Sequence, residues 1–398
     1  MAAETKTGLD SFLARGLDGL KGRKVGVLTH QSAVDSGGVH LLHHLLENVG
    51  PPHLLWSPEH GLWATHQDME AVDDAFRDPV FDRPVRSLYG RDESTLGACR
   101  RELAELDLLI VDLQDVGTRY YTYAATIHRT LANASGLDLE VLLLDRPNPI
   151  GGTIEGGLVA PEYRSYVGEF SIPHRHGMTL GELTLLGTTE GGVDLSIEVL
   201  PVTGWSPEMD FIDTGLPWIP PSPNMPSLAT ALVYPGGCLV EGTLLSEGRG
   251  TTTPFEVVGA PFVDSRRWVA MLEDMNLPGV RFLPTAFRPM FQKHAGVVCN
   301  GVRLMVTDPR RFHSLACGLA LLQSAYRLWP DSFQWRTEEY EFVTNRLAID
   351  LLLGQSWIRP ALEAGEPLWG IVSRMEEGTE QFLERREGAL LYSRGGQR

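Results

Sequence analysis

Short apolar runs of strand length alternate with helical patterns over the first two thirds of this chain. The predicted strands are Val25–Thr29, Leu54–Ser57, Val85–Leu88, Leu108–Leu113 and Val141–Leu144, with Ile197–Val202 and Ala231–Tyr234 as candidates for further strands. Helical patterns separate them at Val39–Asn48 and Tyr120–Ala134. Because buried strands that alternate with helices form a parallel sheet covered on both faces, this order predicts an α/β fold with a Rossmann-like parallel sheet.

The pattern changes near residue 260. Trp268–Asn276 and Arg311–Trp329 have helical periodicity, Val302–Thr307 has the composition of a strand, and the end of the chain is charged and helical in character. We therefore expect two domains, a Rossmann-like domain over residues 1–260 and a smaller C-terminal α+β domain over residues 261–398.

The chain of 398 residues has a formal net charge of −17 and no run rich in Lys and Arg. Since contacts to phosphates require a basic face, this charge argues against a nucleic-acid partner. An anionic small ligand would need a local arginine to offset the overall negative field. The candidates for that role are Arg119, Arg146 and Arg249.

The four cysteines are far apart and form no Cys-x-x-Cys pair, so we expect reduced core residues rather than disulfides or a zinc site. The N-terminus lacks the apolar stretch of a signal peptide. We expect a cytoplasmic protein, or a secreted or periplasmic one if a leader has been removed. No apolar run approaches the length of a membrane span, and nothing in the sequence predicts an oligomeric state.

Polar and aromatic side chains follow the predicted strand Leu108–Leu113 directly. They are Asp112, Gln114, Asp115, Arg119, Tyr120, Tyr121 and Tyr123. Ligands gather at the carboxyl ends of parallel strands, and a sugar pocket needs flat apolar rings beside directional hydrogen-bonding groups. Taken alone, the segment fits better a strand end whose Asp115 caps an ordinary helix.

Similar groups follow other predicted strands. A glutamate lies on a rigid turn in the string Ser57-Pro-Glu59-His60-Gly61. This position suits a general acid, and it equally suits a glutamate that caps a following helix. The composition of Asp145-Arg146-Pro-Asn148 is typical of a turn. Two carboxylates and an arginine lie between glycines in the segment from Glu241 to Arg249. Because four such segments recur at predicted strand ends, we favour a functional site over separate structural turns.

Several familiar motifs are missing from the sequence. It has no Gly-x-Gly-x-x-Gly after a strand, no Walker loop, no His-Glu-x-x-His and no Gly-x-Ser-x-Gly. His174-Arg175-His176 could be a metal pair, but a hydrogen-bonding loop fits better without further ligands nearby. We therefore expect no cofactor and no metal ion.

At these residues the chain resembles the exo-β-N-acetylmuramidases of the NamZ type, glycoside hydrolase family 171. The resemblance runs from Leu17 to about Gly354. It rests on the strings Ser57-Pro-Glu-His-Gly, Ser87-Leu-Tyr-Gly, Asp112-Leu-Gln-Asp-Val-Gly-Thr-Arg-Tyr-Tyr-Thr-Tyr, Leu144-Asp-Arg-Pro-Asn-Pro-Ile-Gly-Gly, His176-Gly-Met-Thr, Pro221-Ser-Pro-Asn-Met-Pro, Glu241-Gly-Thr and Ser246-Glu-Gly-Arg-Gly-Thr-Thr. It implies a catalytic Rossmann-like domain, a smaller C-terminal domain closing a cleft, and release of terminal N-acetylmuramic acid (MurNAc) from peptidoglycan fragments.

The resemblance also implies that Glu59 is the catalytic glutamate, and we expect it to be the general acid. For the second catalytic group we favour Asp115, with Glu241 and Glu247 as rivals, while the N-acetyl group of the substrate could itself be the nucleophile. Arg249 or Arg119 would hold the lactyl carboxylate of MurNAc, and a tyrosine would stack on the ring. The expected substrate-binding residues are Gln31, His60, Arg119, Tyr120, Tyr121, Tyr123, Arg146, Asn148, His176, Asn224 and Arg249.

Two other functions remain open on the sequence alone. One is a non-catalytic protein that binds muropeptides or other saccharides on the same scaffold. The other is a metal-dependent hydrolase, with ligands drawn from Asp112, Asp115, His174 and His176.

Overall fold

A seven-stranded sheet forms the centre of the N-terminal half of the protein. The computed structural model describes residues 4–71 and 75–394. The strands of the large sheet are β1 (Val25–Thr29), β2 (Leu54–Ser57), β3 (Ala75–Arg77), β4 (Pro84–Ser87), β5 (Leu108–Asp112), β6 (Glu140–Leu144) and β7 (Ser196–Leu200). Their order is β3-β4-β2-β1-β5-β6-β7, and only the edge strand β3 runs antiparallel to its neighbour.

Twelve α-helices lie within the described residues. They are α1 (Gly8–Ala14), α2 (Leu41–Asn48), α3 (Arg100–Leu103), α4 (Tyr123–Ala134), α5 (Leu180–Gly191), α6 (Leu228–Gly237), α7 (Ser265–Asp274), α8 (Ser314–Leu328), α9 (Ala348–Leu353), α10 (Ile358–Ala364), α11 (Leu368–Glu376) and α12 (Thr379–Arg386). None of them combines the length and apolar character that a bilayer crossing requires.

The central strands β1 and β5 are buried along their whole length, which explains their unbroken apolar runs. Val27 and Ile110 pair in register and pack on one face with α1 and α2. Leu109 and Val111 point to the other face, where α3 and α4 cover the sheet. The predicted Rossmann-like α/β fold is confirmed, with helices on both faces.

A second, antiparallel sheet of three strands lies in the C-terminal half. Its strands are β8 (Val257–Ala260), β9 (Val280–Phe287) and β10 (Cys299–Val306), in the order β8-β10-β9. Helix α7 packs on this sheet and α8 packs on α7. The predicted strand at Val302–Thr307 and both predicted helices of this half are confirmed, and the boundary at residue 260 stays a prediction.

The predicted strand Ala231–Tyr234 is wrong, because these residues lie inside helix α6. A short apolar run does not distinguish a strand from a buried helix. The Ser227 side chain accepts a hydrogen bond from the Thr230 N–H and so begins a helix. Helix α6 crosses α8 so closely that a Cβ at Gly236 would lie 1.9 Å from the Ser314 carbonyl oxygen. Glycine at the crossing therefore lets the two backbones touch.

A buried ion cluster joins the large sheet's half of the chain to the first turn of α8. Oε1 of Glu155 accepts a 2.7 Å hydrogen bond from Arg175, and Oε2 accepts one of 2.9 Å from the Leu315 N–H. His313 lies 3.1 Å from the same Oε2. Burial raises the pKa of Glu155, but His313 and Arg175 outweigh it and lower that pKa to about 2. Burial likewise opposes the charge on His313, yet Glu155 and Glu376 raise its pKa to about 9.

We predict that His313→Gln weakens this junction in a pH-dependent way. Because the pKa of His313 is raised, its stabilising contribution is complete below the ordinary value of 6.5 and disappears as pH rises through about 9. Urea unfolding at pH 6 should show a loss of about 1.5–3 kcal/mol against wild type. The difference should shrink towards pH 9.5 or so, whereas the exposed control His43→Gln should differ little at either pH. If the free energies of unfolding of wild type and His313→Gln depend on pH in the same way, the charged contact of His313 with Glu155 is contradicted.

Candidate active site

A cavity at the carboxyl edge of the large sheet gathers about half of the predicted site residues. Those that line it are Glu59, His60, Tyr120, Tyr121, Asn224, Glu241 and Arg249. The sequence did not single out other residues of its wall, among them Asp68, Thr122, Tyr234, Phe255, Tyr340 and Glu341. Both halves of the chain therefore contribute to one pocket.

Glu59 enters the cavity from the turn that directly follows β2. Its neighbour His60 has a φ of +73°, which turns the chain sharply after the strand. The Glu59 side chain is only 4% exposed. Oε2 accepts a 2.7 Å hydrogen bond from the Thr122 hydroxyl, and Oε1 accepts a longer one of 3.4 Å from the Met69 N–H. The carboxyl group is thus fixed by donors from two separate loops.

The tyrosines after β5 do not all have the same surroundings. The predicted helix over Tyr120–Ala134 begins only at Tyr123, so Tyr120 and Tyr121 lie in the loop and line the cavity. The rings of Tyr121 and Tyr123 are 4.7 Å apart in an edge-to-face arrangement. The Tyr123 hydroxyl donates a 2.7 Å hydrogen bond to the Pro221 carbonyl. Tyr123 therefore supports the wall behind Tyr121.

Arg249 is buried among three carboxyl groups on the opposite wall. Its Nη2 donates a 2.6 Å hydrogen bond to Glu241, its Nη1 lies 3.2 Å from Asp68, and its Nε lies 3.3 Å from Glu247. The guanidinium also lies over the Phe255 ring, 5.0 Å from its centre. Burial opposes the charge on Arg249, but the three carboxylates outweigh it and raise its pKa well above the ordinary value.

The carboxyl groups around Arg249 have further partners. Tyr340 donates a 2.8 Å hydrogen bond to Oε2 of Glu241, and Lys293 donates one of 2.9 Å to Oε2 of Glu247. Burial raises the pKa of Asp68, but Arg249 and Gln292 outweigh it, so the pKa lies below its ordinary value. For Glu241, burial prevails over Arg249 and the pKa is raised.

Glu341 is a fifth carboxyl group in this region that the sequence did not reveal. Its Oε2 accepts a 2.9 Å hydrogen bond from the Tyr89 hydroxyl. Burial, followed by the nearby charge of Glu59, raises the pKa of Glu341 well above its ordinary value. Tyr89 lies in the Ser87-Leu-Tyr-Gly string that carries the family resemblance, which is the one sequence signal that pointed to this contact.

Several predicted substrate-binding residues hold the scaffold outside this cavity. The Nη atoms of Arg119 donate to the carbonyls of Gly157, Ile172 and Leu352 at 2.6–3.0 Å. Arg146 forms a bidentate pair with Asp112 at 2.5 and 2.9 Å. Neither arginine is among the residues that line the cavity, and the substrate-binding roles proposed for them stay predictions.

Other predicted site residues form hydrogen bonds with backbone groups outside the cavity. Gln31 donates to the Pro220 carbonyl at 2.6 Å, and Asn148 donates to that of Met178 at 2.9 Å. Asp115 accepts a 2.6 Å hydrogen bond from the Gly117 N–H and lies 3.4 Å from His176. Asp115 therefore shapes the turn after β5 and does not line the cavity. Glu247 lies behind Arg249, where Lys293 and Arg249 neutralise it.

Of the four donors of the metal-hydrolase alternative, Asp115 and His176 lie 3.4 Å apart, but the other two have different partners. Asp112 is occupied by Arg146, and His174 lies 3.1 Å from the Arg119 guanidinium. In the part of the chain that the structure describes, no group of three His, Cys, Asp or Glu side chains is arranged to hold a metal ion.

Sequence models of the exo-β-N-acetylmuramidase NamZ match this chain almost throughout. The N-terminal model covers residues 25–229 and the C-terminal model covers residues 232–392. This chain belongs to the NamZ family. It is 39% identical over 394 residues to the peptidoglycan β-N-acetylmuramidase NamZ of Bacillus subtilis strain 168, with 98% of this chain and 92% of that protein covered.

Two crystal structures of DUF1343 family proteins from Bacteroides fragilis NCTC 9343 are similar in fold to this chain. The TM-scores are 0.83 and 0.74, and each protein is 29% identical to this chain. The matches cover 98% and 99% of this chain and 99% and 100% of the two neighbours.

The two NamZ regions meet at the cavity. Glu59 and Thr122 come from the N-terminal region, and Glu241, Arg249 and Glu341 come from the C-terminal region. The site therefore exists only when both regions are folded and packed together.

We predict that Arg249→Met strongly destabilises the protein, because Asp68, Glu241 and Glu247 would keep only Lys293 as a counter-ion. Removing one partner of a buried ion pair costs about 3–5 kcal/mol, which urea unfolding at pH 7 would measure. The exposed control Arg281→Met, which breaks a surface pair with Glu273, should cost less than about 1 kcal/mol. If Arg249→Met and Arg281→Met lower the free energy of unfolding equally, the central role of Arg249 is contradicted.

Proposed function

We propose that this protein is an exo-β-N-acetylmuramidase, a glycoside hydrolase that releases terminal MurNAc from peptidoglycan-derived fragments. The observation that carries the proposal is the position of Glu59, which lies in a cavity beside Tyr120 and Tyr121. Family membership and the named relative of Bacillus subtilis support the same activity.

The residues that line the cavity suit a sugar ring. Glu59, Arg249 and Glu341 on its walls are each 6% exposed or less. Tyr120 and Tyr121 offer flat apolar faces for a sugar ring, and Asn224 offers an amide for its hydroxyl groups.

The lactyl carboxylate of MurNAc needs a cation, and the structure favours a different arginine from those proposed on the sequence. The Arg119 guanidinium already donates to three backbone carbonyls, and three carboxylates already neutralise Arg249. Arg336 does not itself line the cavity, but it lies over the ring of Tyr340, which does, 5.2 Å from the centre of that ring. Its Nη2 donates a 3.2 Å hydrogen bond to the Glu339 carbonyl and is 3.5 Å from the Met69 sulfur. Among the described residues it has no carboxylate within ion-pair distance. We assign the lactyl carboxylate to Arg336.

We expect Glu59→Gln to lower turnover of a chromogenic β-MurNAc glycoside by roughly 10²–10⁴-fold, because the carboxyl group at the reacting bond is lost. Circular dichroism should show a folded protein. The matched control Glu198→Gln changes an exposed glutamate of β7 that pairs with Arg15, and its activity should stay near that of wild type. Near-normal activity of Glu59→Gln would remove Glu59 from the mechanism. Saccharide binding without any hydrolysis by wild type would favour the non-catalytic alternative.

We expect Arg336→Met to weaken binding of free MurNAc by about 10-fold while leaving the weaker binding of N-acetylglucosamine unchanged, because only MurNAc carries the lactyl carboxylate. Isothermal titration calorimetry with both sugars would measure the two affinities. Loss of both affinities to the same extent, or of neither, would sink the assignment of Arg336.

A further inference from the structure

We propose that Glu341 is the carboxylic acid that gives its proton to the leaving glycosidic oxygen, and that Glu59 acts beside it as the ionised carboxylate. This proposal rests on the proposed glycosidase function and names a second catalytic residue for it. It also reverses the role that the sequence suggested for Glu59.

The ion pairs of the cavity leave two carboxyl groups without a cation. Glu241 and Asp68 face Arg249, and Glu247 faces both Arg249 and Lys293. Within the described parts of the chain, no ion pair reaches Glu59 or Glu341. Both groups line the same buried cavity, where two negative charges repel each other, and this repulsion favours a proton on one member of the pair.

Both oxygens of Glu59 have hydrogen-bond donors beside them. Both of its oxygens accept, one from the Thr122 hydroxyl at 2.7 Å and one from the Met69 N–H at 3.4 Å. Because the Met69 backbone N–H can only donate, Oε1 of Glu59 has to act as an acceptor there. Hydrogen bonds of this kind stabilise a carboxylate more than a carboxylic acid.

The surroundings of Glu341 favour its neutral form. Tyr89 donates to Oε2 at 2.9 Å, which leaves Oε1 to carry the proton. Burial raises the pKa of Glu341 well above its ordinary value, and the negative charges of Glu59, Asp68 and Glu241 add to that effect. The Tyr89 hydrogen bond opposes this shift without overcoming it.

The backbone also marks Glu341 as an unusual position. Glu341 and Phe342 have φ values of +47° and +66°, a left-handed conformation that is costly for residues other than glycine. The Tyr340 hydroxyl anchors this turn on Glu241, and the Phe342 ring packs 5.7 Å from the ring of Tyr89. Such strain persists where surrounding contacts hold it, and here it directs a buried acid into the cavity.

The proposed step balances without any further reactant. The proton of Glu341 moves to the glycosidic oxygen as the bond from that oxygen to the anomeric carbon breaks, and the leaving sugar departs as an alcohol. The carboxylate of Glu59 stabilises the positive charge that develops at the anomeric carbon. A water molecule then adds its hydroxyl to that carbon, and its remaining proton returns to Glu341.

The test compares the activity of Glu341→Gln on two substrates that differ in their leaving group. A good leaving group departs without being protonated, so only the substrate with the poor leaving group depends on a general acid. We expect kcat/KM for the disaccharide MurNAc-β-1,4-GlcNAc to fall by roughly 10²–10⁴-fold. The value for an aryl β-MurNAc glycoside with an acidic phenol should fall less than about 10-fold. Glu59→Gln should lose activity on both substrates. The control Glu338→Gln alters an exposed glutamate three residues earlier and should leave both values unchanged.

A second variant tests whether Glu341 is the group that holds the proton. Tyr89→Phe removes the hydrogen bond that lowers the pKa of Glu341, so the basic limb of the profile of kcat/KM against pH should move to higher pH. Equal losses on both substrates by a folded Glu341→Gln, or no loss on either, would overturn the proposal, as would an unmoved basic limb in Tyr89→Phe. Failure of wild type to cleave either substrate would instead overturn the proposed function.

Discussion

The centre of this protein is governed by an excess of buried carboxyl groups over cations. Arg249 lies within 3.3 Å of Asp68, Glu241 and Glu247, and Lys293 shares Glu247 with it. Taking so many charges out of water costs several kcal/mol for each ion unless a counter-ion is close. Arg249 therefore makes the pocket possible, and the two groups that it does not reach are those left for proton chemistry.

The same pocket depends on how the two halves of the chain are joined. Arg119 reaches from the end of β5 to the Leu352 carbonyl, and Glu155 binds the first turn of α8. Both side chains are charged, as binding residues would be, yet each has a hydrogen bond that reaches the backbone of the opposite half, at Leu352 and Leu315. They fix the relative position of Glu59 and Glu341, which are far apart in sequence.

The sequence predicted the large sheet well because its central strands are continuous apolar runs, and burial on both faces leaves that signature. Ala231–Tyr234 was misassigned because a short apolar run also suits a buried helix. Glu59, Tyr121 and Arg249 could be found because they follow predicted strands or lie between glycines. Glu341 could not, since it lies in a loop of the C-terminal half whose left-handed backbone and contact with Tyr89 arise only from tertiary packing.

The most direct test of this account is a crystal structure of Glu59→Gln soaked with the disaccharide MurNAc-β-1,4-GlcNAc. The account predicts the MurNAc ring in the cavity against Tyr120 and Tyr121. The glycosidic oxygen should lie within hydrogen-bond distance of Glu341, at about 2.6–3.2 Å. A sugar bound away from this cavity, or a glycosidic oxygen that faces Arg249 and lies far from Glu341, would contradict it.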